Sequence, residues 1–245
     1  MKKVLSLILM ALLPMVASAE YVNGINYSFN SSAKTATVIS GSYSGYVNIP
    51  STVYYNGTTY SVTRIGYHAF YGCSGLTSIT IANSVTYIGE FAFDGCSNLS
   101  SVTIGSSLSY VDSGAFDNCN NLKSVHITDL AAWCKIWFEY DGPHWANPLQ
   151  IAHHLYMNNM EIKDLIIPEG VTSISQWAFY GCSNLTSVTI PNSVTSIGWS
   201  AFQYCSGLTS ITIPNSVTSI SSWAFSGCSG LTTIISERIA VGTGT

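Results

Sequence analysis

Apolar and polar residues alternate in short, evenly spaced runs along most of this chain. Ile79 and Ile81, Val102 and Ile104, Val125 and Ile127, Val188 and Ile190, and Ile211 and Ile213 each flank one polar residue. A period of two built on β-branched side chains predicts short strands. Ahead of each run stands an Ala-Phe pair, followed by Cys three residues after the Phe and by Leu six after it. The phenylalanines are Phe70, Phe93, Phe116, Phe179, Phe202 and Phe225; the cysteines are Cys73, Cys96, Cys119, Cys182, Cys205 and Cys228. Ala, Phe, Cys and Leu at i, i+1, i+4 and i+7 would line one side of a helix of one or two turns, too short to stand alone. After each strand a branched residue, such as Ile88, Val111, Ile174, Ile197 or Ile220, predicts a second short extended piece.

Both cysteine triplets are spaced by 23 residues, so the pattern is a repeat. A 23-residue unit cannot bury its apolar side by itself. Stacked copies turn the side chains into continuous columns of Ile, Phe, Cys and Leu, the mark of a solenoid. The period divides the chain into a first block of repeats over 62–127, an insertion over 128–164 and a second block over 165–235, with a tail over 236–245. Residues 20–61 lack the repeat but alternate like strands around an Asn56-Gly57 turn, as expected of a β cap over the first open core. Residues 1–19 run from Lys2 and Lys3 through an apolar stretch to Ala17-Ser18-Ala19, the order of a secretory signal peptide.

The pattern I-x-x-x-A-F-x-x-C-x-x-L-x-x-I-x-I-P-x-S-V-T, nearly complete from Ile197 to Thr218, resembles the BspA-like leucine-rich repeat family. The resemblance implies an α/β leucine-rich-repeat solenoid, β-rich, with six repeats of a strand plus a short helix or turn. It further implies a secreted or surface protein, with members of the family implicated in adhesion to extracellular-matrix proteins. The insert's Asp129-Leu-Ala-Ala-Trp-Cys and Ala152-His-His-Leu-Tyr segments fit the same resemblance.

Composition narrows the chemistry. Only 8% of the 245 residues are charged and the formal net charge is −4, so no basic patch for nucleic acid exists. After the leader no apolar run is long enough to span a bilayer. The expected location is therefore secreted or at the cell surface, with the periplasm as an alternative. The six column cysteines read as buried free thiols, with bridges between turns or a redox or metal role as alternatives. Cys134, His144, His153 and His154 in the insert could form a metal or nucleophile site only if the loop folds back, and no catalytic motif supports one. The expectation is a non-enzyme without cofactor or metal.

Two surface features remain as candidates for binding. Hydroxyl residues recur on the outward side of the strand, including Ser187, Thr189, Ser210 and Thr212, either as sheet-stabilising ladders or as a hydrogen-bonding rim. Aromatic side chains flank the Ala-Phe pair at Trp177, Trp199, Trp223, Phe91, Tyr71 and Tyr180, either sealing the groove between turns or forming a contact stripe. These residues point to non-catalytic recognition of an extracellular protein or glycan. A structural envelope or spacer module is the alternative, and a hydrolase built on the insert is the third class. An uncapped strand at Ile234-Ile235 would also permit end-to-end self-association.

Overall fold

In the computed structural model the described residues are 19–236. The signal peptide read over 1–19 lies outside them apart from Ala19, as does the tail from residue 237 onward. The apolar alternation builds two parallel sheets that face each other across a column of side chains. The first sheet stacks Gly45–Ile49, Leu76–Ile81, Ser101–Ile104, Ser124–Ile127 and Leu155–Met157. The second stacks Thr35–Val38, Thr58–Ile65, Tyr87–Ile88, Tyr110–Val111 and Trp137–Phe138. Beyond the insert both sheets start again. Asp164–Ile166, Ser187–Thr189, Ser210–Ile213 and Thr233–Ser236 continue the first, and Ser173–Ile174, Ser196–Ile197 and Ser219–Ile220 the second. The result is a β-rich leucine-rich-repeat solenoid of about nine turns with little helix.

At the amino-terminal end, Ala19–Val22, Ile25–Asn30 and Thr35–Val38 form an antiparallel meander, which buries Ile25, Tyr27 and Val38 against the first turn. Asn56 and Gly57 both have positive φ, 44° and 78°, which closes the hairpin between Thr52–Tyr55 and Thr58–Ile65. Parallel pairing with later strands begins at Thr35 in the second sheet and at Gly45 in the first, both within residues 20–61.

The Ala-Phe-x-x-Cys-x-x-Leu segment is a run of turns, and the helical alternative is not adopted. In every repeat the residue before Ala is left-handed (His68, Phe91, Gly114, Trp177, Ser200, Trp223), and so is the second residue after Phe (Gly72, Gly95, Asn118, Gly181, Tyr204, Gly227). Two left-handed residues four apart break a helix and aim backbone N–H groups along the solenoid axis. Phe70 and Gly72 thus donate to the carbonyls of Ala92 and Asp94 in the next turn, each at 2.7 Å. At Gly181 the requirement for glycine is double, since φ is +71° and a Cβ would sit 2.8 Å from His153 Nδ1.

The core follows the repeat. Phe70, Phe93 and Phe116 stack at 4.9 and 5.0 Å, and Phe179, Phe202 and Phe225 at 5.2 and 5.5 Å. All seven cysteines are free and buried. Cys96, Cys119, Cys205 and Cys228 each donate S–H to the Phe carbonyl one turn earlier, at 3.1–3.2 Å. A small apolar side chain with a weak donor suits that site, because the phenylalanine carbonyl retains a lone pair away from water.

Residues 128–164 hold an irregular turn and a seam. Asp129 caps a single helical turn, Leu130–Trp133, by accepting from Ala132 N–H at 2.9 Å. A hairpin of Tyr140–Asp141 and His144–Trp145 follows, then a second short helix, Leu149–Ala152. No strand pairing crosses from Trp137–Phe138 to Ser173–Ile174. One backbone bond, Ser175 N–H to Cys134 O at 2.8 Å, crosses there, and side chains add to it. Trp133 Nε1 donates to Ala178 O at 2.8 Å, where another repeat would supply a Phe N–H, and Gln176 Nε2 donates to Phe138 O at 2.8 Å. Asn147 Nδ2 reaches Trp177 O at 2.7 Å, and His153 Nδ1 lies 3.1 Å from Gly181 O.

Candidate functional site

The aromatic residues that the sequence offered either as seals between turns or as a contact stripe separate into three environments. Trp177 is only 4% exposed, because Tyr140 and Trp145 of the insert pack over its indole. There it packs edge-to-face on Trp145 at 5.0 Å and Trp199 at 4.6 Å. Trp199 is half-buried, and Trp223 stands 61% exposed near the carboxyl-terminal end of the described residues. An exposed three-tryptophan anchor is therefore not what this chain presents. Phe91 is half-buried over Gly114, with its ring edge-to-face to His144 at 5.1 Å. Tyr71 is exposed beside His68, in the first repeat of the first block.

What assembles instead is a cluster at the seam. Tyr140 and Trp145 come from the insert hairpin; Trp177, Tyr180, Trp199 and Tyr204 come from the second block. Tyr140 contacts Trp145, Trp177 and Trp199 at 5.2–5.7 Å, and Tyr180 lies 5.5 Å from both Trp145 and Tyr204. Burial raises the Tyr180 hydroxyl pKa. The Trp177 indole N–H is buried without a hydrogen-bond partner, and the ring borders a tight crevice shared with Trp145, Asn147 and Gln150.

Beside this cluster a groove of about 360 Å³ opens between the last turn of the first block and the first turn of the second. Trp145 and Tyr180 supply its aromatic walls, and Asp117, Asn118, Asn120 and Gln150 its polar ones. Asp117 Oδ2 holds His144 Nδ1 at 2.6 Å, which fastens the hairpin to the first block and raises the pKa of His144. The sequence signal for Trp145 was its place in the aromatic-rich insert. Asp117, Asn120 and Gln150 carry none, since only folding of the insert onto the first block brings them together.

The hydroxyl files lie elsewhere. Ser187 pairs in register with Ser210, and Thr189 with Thr212, on the outward side of the first sheet. Ser187 Oγ donates to Asp164 Oδ1 at 2.7 Å. None of the four lines the groove, so a hydroxyl rim around the tryptophans is not formed. His126 and Tyr156 interrupt the file in the first block by stacking at 4.8 Å.

The insert's reactive residues do not converge. Cys134 is buried, and burial pushes its thiol up to about 12. His153 turns to Gly181, while His154 Nδ1 meets Glu161 Oε1 at 2.5 Å with Asn184 alongside. Among the described residues no hydrogen bond links Cys134 to either histidine, and no group of three His, Cys, Asp or Glu side chains is placed to hold a metal. Nor is any described helix long and apolar enough to cross a membrane.

Comparison with known proteins gives a consistent pattern. A family model described as the BspA type leucine rich repeat region matches residues 57–132 and 149–240 in six copies. A leucine rich cell surface protein of Faecalibacterium prausnitzii A2-165 is 31% identical with a TM-score of 0.56, over 89% of this chain and 54% of that one. A leucine-rich repeat protein of Bacteroides ovatus is 30% identical with a TM-score of 0.55, over 88% and 52%. This chain thus spans about half the length of either. No curated protein sequence matches it.

Proposed function

Because the chain belongs to the BspA-type leucine-rich repeat family, we propose that it is an extracellular, non-catalytic binding protein whose solenoid presents a rigid surface to a host or matrix protein or to a surface glycan. The observation that carries this reading is the seam cluster. Buried Trp177 holds half-buried Trp145, Tyr180 and Trp199 in fixed contact. Aromatic side chains already locked by packing lose little entropy on binding and offer a large apolar area with polar tips. The stacked turns add a scaffold whose geometry does not depend on the ligand. The cell-surface description of the Faecalibacterium relative agrees with an extracellular location.

The test is saturation binding of the purified chain to immobilised extracellular-matrix proteins and to a glycan array, with Trp199→Ala/Tyr204→Ala alongside. The expected result is saturable binding that falls at least about tenfold in the double variant, with little change in melting temperature. Absence of saturable binding at high micromolar concentration would overturn this reading in favour of a structural spacer.

A further inference from the structure

The geometry points to a ligand class for the seam groove: we infer that it binds a neutral saccharide. This rests on the reading of the chain as a binding protein and assigns a site and a chemistry within it. The starting point is the direction of the hydrogen bonds between turns. In the x-Ala-Phe-x-x segment every such bond runs the same way, from N–H of one turn to C=O of the next. Phe91, Phe93 and Gly95 donate to Ser113, Ala115 and Asp117, and Trp177, Phe179 and Gly181 donate to Trp199, Ala201 and Gln203. The face toward the next turn therefore presents donors only.

At the seam that next turn is replaced by the insert. The N–H groups of Phe116 and Asn118, equivalent to those of Phe93 and Gly95, find no acceptor among the described residues. Both residues line the groove. Two backbone donors aimed along the axis into a space of about 360 Å³, with no partner in the protein, are what a ligand site leaves open. The side-chain amides of Asn120 and Gln150 are likewise without hydrogen bonds among the described residues and line the same groove. The volume lies at the lower end of the range of small-molecule pockets, roughly 300–1,000 Å³, room for one or two sugar rings.

Three features select the ligand. First, a donor-only edge matches an acceptor-rich molecule such as a polyol or an acetamido sugar. An extended peptide alternates donors and acceptors along its edge and would leave half of them unmatched. Second, Trp145 and Tyr180 offer ring surface to the apolar C–H face of a pyranose, and Trp177 fixes both rings from behind, at 5.0 and 5.3 Å. Third, Asp117 can accept from sugar hydroxyls while Asn120 and Gln150 both donate and accept. No Lys or Arg lines the groove, and the Asp117 carboxylate in its wall already holds His144, so a sulfated or carboxylated sugar would find no free cation there to pair with.

The test titrates the purified chain with neutral oligosaccharides, among them N-acetylated and unsubstituted hexose dimers and trimers, and with sialylated and sulfated counterparts. Binding is followed by tryptophan fluorescence and by amide shifts in ¹⁵N-labelled protein. Expected are saturable binding of neutral sugars, shifts at the Phe116 and Asn118 amides, and at least a tenfold loss in Gln150→Ala/Asn120→Ala. Those two surface amides hold no structural bond, so the fold should survive the change, and Trp145→Ala serves as a second, independent probe. Binding that prefers acidic sugars, or that persists in both variants, would overturn the assignment. If the chain binds a matrix protein through Trp199 and Tyr204 but no saccharide, the groove inference fails while the binding-protein reading stands. Loss of that protein binding on enzymatic removal of its glycans, in parallel with loss in Gln150→Ala/Asn120→Ala, would support the groove.

Discussion

Single residues in this protein are chosen by what one turn owes the next. Four of the six column cysteines, Cys96, Cys119, Cys205 and Cys228, sit where a buried phenylalanine carbonyl takes a second, weak donor, and the neighbouring Cys228 thiol together with burial raises the pKa of Cys205 well above its ordinary value. The same logic explains Trp133, the largest fully buried side chain. Its indole N–H supplies the donor that a missing repeat would have given to Ala178. Trp133→Phe keeps an aromatic ring but removes the N–H and part of the buried volume and leaves that carbonyl unpaired, so the expected loss of stability in urea denaturation is at least about 1–3 kcal/mol. A change below about 0.5 kcal/mol would mean that water or backbone movement replaces the bond.

At the scale of elements, the short insert hairpin decides whether the candidate site exists. Tyr140–Asp141 pairs only with His144–Trp145, and the hairpin's ties to the first block are the His144–Asp117 hydrogen bond, a longer one from Trp145 N–H to Asp117 Oδ1 at 3.4 Å, and the edge-to-face contact of His144 with Phe91. That hydrogen bond raises the pKa of His144 in the folded protein above its ordinary value of 6.5. A group with a raised folded pKa gives its full stabilisation below the unfolded value and loses it as pH rises through the folded one. Docking of the hairpin should therefore be intact at pH 5.5 and loosen as pH climbs above 6.5. Amide exchange of residues 140–146 across pH 5.5–8.5, corrected for intrinsic rates, measures this directly. Asp117→Asn should flatten the profile, and a flat profile in the unaltered protein would show that Trp145 packing alone holds the hairpin.

For the whole molecule the seam is the point of lowest continuity. Stacked repeats are stabilised through nearest-neighbour interfaces, and here both sheets end inside the insert and new ones start at Asp164–Ile166 and Ser173–Ile174. Asn147 and Gln176 carry part of the junction by donating to Trp177 O and Phe138 O. Removing both amides with Asn147→Ala/Gln176→Ala should uncouple the blocks and turn one urea transition into two. The second block should open first in hydrogen exchange, since its last strand, Thr233–Ser236, is exposed along its length and Phe225 is only partly covered. A single unshifted transition would show that apolar packing across the seam suffices.

The sequence alone determined the solenoid, because a 23-residue period of Ile, Phe, Cys and Leu can bury its apolar side only by stacking. It determined the break in the period as well, since Cys119 and Cys182 stand 63 residues apart where the repeat spaces its cysteines by 23. Helix or turn for the Ala-Phe segment was decided only in the tertiary structure. Apolar spacing suits both, and the outcome depends on N–H groups finding carbonyls one turn away, as Phe70 finds Ala92. Which tryptophans are covered was also a tertiary matter. Trp177 and Trp223 occupy the same repeat position with nearly the same φ, 63° and 64°, yet one lies beneath the insert and the other in solvent. The groove at Asp117, Trp145 and Tyr180 joins residues from three separate stretches of chain. Local pattern records a residue's own turn, and only the docking of the insert sets which turns it meets.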